Sequence, residues 1–278
     1  MTTTAALPPE TLEGWYASHQ TFAIDHAALA AAARDVRTAA VDEARQVLAA
    51  LARGTTPDDG WTVIVPLVGS TADVLFMHFR SSLDALREAE RAVKRLTLTR
   101  WMRADYAFLS VTEAGLYHVT AQLAREAAAR GGAAGDDAYR EALATRAAQE
   151  REVPHVRRRL YPPVPPEMPW VCFYPMSKRR AVGQNWYALS LDERSRLMQT
   201  HGTTGRRYAG RVMQIITGAI GFDAWEWGVT LFARDPLDVK RLVTDMRFDE
   251  VSAQYAEFGE FWFGRVASAD EWVDGLVG

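Results

Sequence analysis

The chain has 278 residues, 48% of them hydrophobic, with 32 Lys and Arg against 35 Asp and Glu. That length supports one large domain or two fused small ones, and a formal charge of −3 carries no nucleic-acid signature. The single cysteine, Cys172, excludes an intramolecular disulfide and fits a reducing compartment. The N-terminus lacks the basic and apolar regions of a secretory signal, and no apolar run is long enough to span a bilayer. A soluble cytoplasmic protein without a membrane span is expected.

Residues 1–10 read as disordered. Residues 13–22 alternate as a strand. Residues 26–54, rich in Ala and Arg, read as one long helix ended by Gly54. Residues 61–68 form a second strand, which Pro66 marks as an edge or stops early, and residues 74–79 a third. Residues 82–102 carry Leu83, Leu86, Ala89, Val93 and Leu96 on one helical stripe. A fourth strand covers 106–111, and the order strand, helix, strand, strand, helix, strand is ferredoxin-like. Residues 116–152 read as a helical connector, flexible around the glycines at 131–135. Residues 157–169 are basic and proline-rich and are expected to be a loop, not a helix.

The second half repeats the layout. Strands are expected at 170–176, 208–217, 225–232 and 258–266, and helices at 190–201 and 235–246. Asp235 is the N-cap of the later helix and Pro236 lies in its first turn. The fold class is therefore α+β: two ferredoxin-like repeats paired into one closed β-barrel with helices outside. The divisions expected are an N-terminal half (1–115), a connector with the basic loop (116–169) and a C-terminal half (170–278). The repeat is one of pattern and not of identity.

Several residues stand out chemically. Ser190 and Glu193 form a capping box, and Gly202 occupies a C-cap position, so His201 is held at a helix end before a Gly-rich turn. A neutral imidazole fixed in this way is a good iron ligand; the plainer alternative is a helix-terminal His interacting with the dipole. Tyr174 leaves a strand, Pro175 follows, and Lys178, Arg179 and Arg180 come soon after. With Arg157, Arg158 and Arg159 these cations form either a solvated basic surface or a rim for several carboxylates or a phosphate. Gln214 shares a strand face with Val212 and Ile216, as a satisfied core amide or a donor projecting into a cavity. Glu226 faces away from Trp225 and Trp227 and is a candidate acceptor for an imidazole N–H. His19, His26, His78 and His118 have no ligand spacing and read as surface or core residues. His155 sits in the cationic loop. Walker, Rossmann, CxxC, HExxH and GxSxG signatures are missing from the sequence.

The segments Phe173-Tyr-Pro-Met-Ser-Lys-Arg-Arg180, Leu197-Met-Gln-Thr-His-Gly202, Gly205-Arg-Arg-Tyr-Ala-Gly-Arg-Val212 and Glu250-Val-Ser-Ala-Gln-Tyr255, with 184–189, 226–232 and Phe258-Gly259, resemble the coproheme decarboxylases of the chlorite dismutase superfamily. The similarity is close over roughly 155–267 and holds only in layout before that. The resemblance implies a homopentamer and the conversion of iron coproporphyrin III (coproheme) to heme b. Two propionates become vinyls through harderoheme, with hydrogen peroxide as oxidant. It implies that His201 is the proximal iron ligand and Tyr174 the catalytic tyrosine. Pro175, Met176, Ser177 and Lys178 lie beside the reactive propionates, Arg159 (or Arg158) binds a propionate, Gln214 is distal and Ser252 contacts a propionate. His155 is the nearest candidate for a distal base. A transient contact with coproporphyrin ferrochelatase is a further implication. The competing readings are a chlorite dismutase-like or peroxidase-like heme enzyme, a heme carrier without turnover, and a ferredoxin-like module without cofactor. Gln214, where chlorite dismutases carry a distal arginine, speaks against the first.

Overall fold

A computed structural model describes residues 7–53 and 59–277; Gly54, expected to end a helix, lies outside them. The first unit contains β1 (Thr11–Ile24), α1 (His26–Ala31), α2 (Arg34–Arg53), β2 (Gly60–Pro66), β3 (Val74–Arg80), α3 (Leu83–Lys94) and β4 (Met102–Gly115). Helices α4 (Tyr117–Ala129), α5 (Asp137–Glu152) and α6 (Pro154–Leu160) connect it to the second. The second contains β5 (Trp170–Lys178), α7 (Leu191–Arg206), β6 (Val212–Gly218), β7 (Trp227–Ala233), α8 (Pro236–Arg247), α9 (Glu250–Tyr255), β8 (Ala256–Phe258) and β9 (Trp262–Arg265). Helix α10 (Ala269–Val277) ends the described chain.

The strands run β2-β3-β1-β4-β6-β7-β5-β8, with β9 also paired to β5, and the named pairings are antiparallel. Each unit thus has the ferredoxin-like strand order. The units join twice. Strand β4 meets β6 through Val111–Gly218 and Thr112–Thr217. Bridges Leu67–Gly264 and Ile64–Ala267 bring the end of the chain back to the β2 edge. The Val68 N–H donates to the Phe263 carbonyl at 2.8 Å and the Ala267 N–H to Ile64 at 2.9 Å. A side chain at position 264 would place its Cβ 2.1 Å from the Pro66 carbonyl oxygen, so this closure requires glycine. Pro66 sits where a missing N–H is tolerated. The result is the α+β barrel with outer helices that the strand pattern predicts.

Several elements differ from the sequence reading. Residues 26–53 are two helices, because the backbone at Ala32 is extended (φ −64°, ψ 148°). The break lets Leu29 and Leu48 enter one apolar cluster, and an Ala-rich sequence carries no local signal for it. The helix expected over 82–102 ends at Lys94; a 3₁₀ turn over Thr97–Trp101 then buries Leu98, while Leu83 stays exposed. The basic segment is helical through Leu160. Pro154 occupies the first turn, where no intrahelical N–H is lost, and the prolines that stop the helix begin at Pro162. Helix α7 does not stop at Gly202 but runs to Arg206. Strand β6 begins at Val212, after a turn closed by Val212 N–H on the Tyr208 carbonyl. The strand expected over 258–266 is split into β8 and β9, where the Gly259 N–H turns to the Pro175 carbonyl. Residues 7–10 are tied down: Arg194 donates to the Leu7 carbonyl and the Glu10 N–H to Thr120 Oγ1. Helix α10 has no counterpart in the sequence reading. It buries Trp272 and Val273, and Arg45 of α2 pairs with Asp270 and Asp274 at 2.8 Å.

Strand alternation sorts the core into layers. Phe108, Val171, Phe173, Ile215 and Phe232 fill the barrel interior. Phe22, Ile64 and Phe76 face outward beneath α2 and α10. Cys172, Tyr174, Val229 and Leu231 face outward on the second unit, beneath α8. Two histidines are buried in these layers. His19 stacks on Phe173 (ring centroids 4.0 Å) with Nε2 2.9 Å from Thr230 Oγ1. His78 lies with Nδ1 2.9 Å from Thr62 Oγ1. Burial pushes both imidazoles down to about 3, with Arg80 and His19 adding to the effect at His78. Among the described residues no helix is long and apolar enough to cross a membrane.

Because the folded pKa of each histidine is lowered, the unfolded chain binds more protons below its ordinary value near 6.5. Their stabilising contribution is complete above that pH and is lost as pH falls toward 3. Urea unfolding should show stability declining below about pH 6.5, by about 1.4 kcal/mol per pH unit for each buried histidine. The His19→Gln/His78→Gln double variant should flatten that decline. A wild-type profile that is level between pH 6.5 and 5 would contradict the assignment.

Candidate functional site

The outward face of β5, β6 and β7 is not fully covered by the helices. A cavity partly open to solvent lies between sheet and helices. The sheet wall presents Tyr174, Met176, Lys178, Gln214, Ile216, Val229 and Leu231, all on alternating positions of one face. The helix wall presents His201 from α7, Leu242, Val243, Met246 and Arg247 from α8, and Ser252 from α9, with Phe258 of β8 at the edge. Most of the lining is aliphatic or aromatic, and a few polar groups converge on it, as in a site for a small-molecule ligand.

His201 is oriented by a carboxylate. The Ser190 hydroxyl caps α7 by accepting the Glu193 N–H at 3.2 Å, and the continued helix carries His201 to the cavity wall. Its Nδ1 lies 2.7 Å from Asp249 Oδ2, which selects the Nδ1–H tautomer and leaves Nε2 for a ligand. The same Asp249 oxygen accepts the Val251 N–H at 3.2 Å and caps α9, so one buried carboxylate ties α7 to α9. Burial lowers the His201 pKa, against an opposing effect of Asp249, and a neutral ring results. The sequence points to Glu226 as the imidazole partner, but the partner is Asp249. Glu226 accepts the Lys178 N–H at 2.7 Å, and its own N–H donates to Ser177 Oγ at 3.2 Å, so it pins the end of β5. Asp249 has a sequence signal, an acidic residue one position before the 250–255 segment, but only folding brings it to His201.

Tyr174 is buried against Phe261 (ring centroids 4.3 Å) and Phe258 (5.9 Å). Burial pushes its phenol up and Cys172 adds to the shift, while Arg247 works the other way. The hydroxyl is protonated at neutral pH. Lys178 is buried, with Nζ 4.5 Å from the Trp186 ring centroid. Burial pushes it down to about 8, opposed by Asp249 and Glu226. Beside it, Trp186 packs with Leu197, Val251 and Tyr255, and Trp227 donates to Glu113 at 2.8 Å, so both are structural.

The structure brings Tyr174, Met176, Lys178, His201, Gln214 and Ser252 to one cavity. Pro175 and Ser177 alternate to the other face of β5 and are not among its lining residues. His155 and Arg158 are exposed on α6 and do not line it either. Arg159, also on α6, lies outside the lining; loss of solvation and then the like charge of Arg206 lower its pKa. Arg247, which the sequence reading does not single out, lines the cavity instead. Among the described residues no cluster of three His, Cys, Asp or Glu side chains has a metal-holding arrangement, so a metal here would have to enter with its own ligands apart from His201.

Asp249→Ala removes the α9 cap and the imidazole partner together. It should lower stability by about 1–2 kcal/mol in chemical denaturation, and His201 should lose its single tautomer in ¹⁵N-resolved NMR spectra. A fixed Nδ1–H tautomer in that variant would refute the pairing.

Residues 37–267 match the chlorite dismutase family. A heme-binding protein from Thermus thermophilus is 38% identical, with 98% of each chain covered and a TM-score of 0.83. A double mutant of the chlorite dismutase from Candidatus Nitrospira defluvii is 17% identical, over 96% of this chain and 97% of that one, with a TM-score of 0.71. A putative chlorite dismutase, TA0507, shares the fold at 17% identity and a TM-score of 0.66, over 95% and 100% of the two chains. The match over most of its length and the likeness to the Thermus protein place this chain in the chlorite dismutase family.

Proposed function

We propose that the protein is a coproheme decarboxylase, which binds iron coproporphyrin III between the sheet and the helices α7, α8 and α9 and converts two of its propionates to vinyls, giving heme b. The observation that carries this reading is the placement of a carboxylate-paired imidazole and a buried, protonated phenol on opposing walls of one largely apolar cavity. The residues fit an iron porphyrin: Nε2 of His201 is left for the metal, and aliphatic side chains of β6, β7 and α8 suit the macrocycle. When bound, the iron centre supplies the means to use hydrogen peroxide as a two-electron oxidant.

The balance is simple. Each propionic acid side chain and one peroxide give a vinyl group, carbon dioxide and two waters, so two electrons pass from the side chain to peroxide. The chain's residues support that chemistry. Asp249 fixes the His201 ring and raises its donor strength. The buried Tyr174 keeps its O–H at neutral pH and holds a redox-active group at the cavity wall. The Lys178 ammonium offers an adjacent cation to a carboxylate. Gln214 offers an uncharged amide on the wall opposite His201. With His155 exposed on α6, peroxide deprotonation is assigned to no side chain here. The reading carries with it a cytoplasmic homopentamer and a transient contact with coproporphyrin ferrochelatase. The description of the Thermus relative as heme-binding also suits the alternative of a heme carrier without turnover.

Mixing the pure protein with coproheme and titrating peroxide should give stepwise loss of one and then two CO2 by mass spectrometry. Tyr174→Phe should bind coproheme with a wild-type Soret shift and lose turnover by on the order of 100-fold or more; normal decarboxylation in this variant would remove the tyrosine from the mechanism, whereas a wild type that binds coproheme and releases no CO2 would favour the carrier. His201→Ala should weaken binding and alter the Soret band, and an unchanged spectrum would contradict iron ligation by this residue.

A further inference from the structure

Strand β5 brings Lys178 to the cavity from its last position, and at that point the strand is held by its neighbours from one side only. The ladder to β7 ends with Met176 opposite Trp227. Ser177 and Lys178 lie beyond it and keep their strand partners on β8, a strand of three residues. Alternation turns Lys178 to the cavity and Ser177 away from it. A slip of one residue at this end would exchange the two and withdraw the ammonium.

Glu226, the residue before β7, takes the place of the strand partner that β5 lacks on this side. Its Oε2 accepts the Lys178 N–H at 2.7 Å, where the ladder would otherwise supply a carbonyl. Its own N–H is shared between the Met176 carbonyl at 3.1 Å and Ser177 Oγ at 3.2 Å. Its carbonyl accepts the Ala219 N–H at 2.8 Å, which anchors it to the residue that follows β6. Arg180 Nη1 lies 3.9 Å from Oε1. Glu226 is 8% exposed and is not among the cavity-lining residues, so it meets the strand end and not the space for a ligand. With the backbone fixed in this way, Lys178 Nζ rests 4.5 Å from the Trp186 ring centroid, and the Trp186 N–H closes the turn on the Arg179 carbonyl at 3.0 Å.

We infer that Glu226 is a positioning residue that acts through Lys178: by holding the end of β5 in register it directs the ammonium into the cavity, where it meets a carboxylate of the ligand. The inference rests on the reading of this cavity as a porphyrin site and deepens it. A neutral acceptor of the same length serves the backbone contact. A side chain too short to reach the Lys178 N–H leaves the strand end to fray, and a shift of about 1 Å is enough to cost a positioned group much of its effect.

The test is a Soret titration of the full chain with iron coproporphyrin III, for the wild type, Glu226→Ala, Glu226→Gln, Lys178→Met and the Glu226→Ala/Lys178→Met double variant. Glu226→Ala should bind about 10-fold more weakly than the wild type, and Glu226→Gln should recover most of that loss. In the Lys178→Met background the same alanine change should cost less than about twofold, because the residue acts through the lysine. A loss of equal size in both backgrounds, no loss in the wild-type background, or a glutamine as poor as alanine would overturn the assignment. With no ligand present, hydrogen–deuterium exchange should be about 10-fold or more faster over residues 176–187 in Glu226→Ala than in the wild type, and unchanged exchange would overturn the hold on the strand end. A wild-type protein that gives no Soret shift would overturn the porphyrin reading and the ligand contact with it, while the exchange measurement alone decides whether Glu226 holds β5.

Discussion

The contact between His201 Nδ1 and Asp249 organises the site. It links α7, which carries the imidazole, to the first turn of α9, which carries Ser252, and it does so with a carboxylate that already serves as a helix cap. A buried carboxylate with two donors is well compensated, whereas either helix alone would leave a polar group without a partner in an apolar setting. The same contact decides which ring nitrogen is left for the cavity. Orientation of the imidazole and closure of the helix layer are therefore one event.

The second constraint is the two-residue period of the strands. On β5, Val171 and Phe173 complete the barrel interior while Cys172, Tyr174, Met176 and Lys178 face the helices. On β6, Ile215 turns inward while Gln214 and Ile216 turn outward. The barrel is packed and the cavity lies outside it, between sheet and helices. This separation permits a rigid aromatic core on one side and polar, chemically demanding groups on the other without one disturbing the other. Closure of the barrel through Gly264 against Pro66 further limits how far β5 and β9 move relative to β2.

Much of this was legible in the chain. The order of strands and helices is readable from alternation and caps, because each rests on contacts close in sequence: Ser190 with Glu193, Ser82 with Ala85 and Asp235 with Leu237. The strand pattern around Gln214 and Tyr174 also indicated which residues share a face. Errors cluster where tertiary packing overrides local preference. Gly202 resembles a helix end yet lies within α7, where Gly205 accommodates Met246 at 3.3 Å from where a Cβ would lie and Gln214 at 3.6 Å. Ala32 looks helical yet is extended. The basic run of Arg157, Arg158 and Arg159 reads as a loop yet belongs to a helix that buries Val156 and Leu160.

The sequence by itself determined the α+β class, the two-unit layout and the prominence of one histidine and one tyrosine, since helix caps and strand alternation act over a few residues. Only the tertiary structure decided that Asp249, 48 residues from His201, is its partner, that Arg247 rather than Arg159 lines the cavity, and that Pro175 and Ser177 turn away from it. These outcomes depend on how distant elements close around one another. A helix terminus or a strand end is placed by the packing of the whole layer, and residue spacing along the chain carries no measure of that distance.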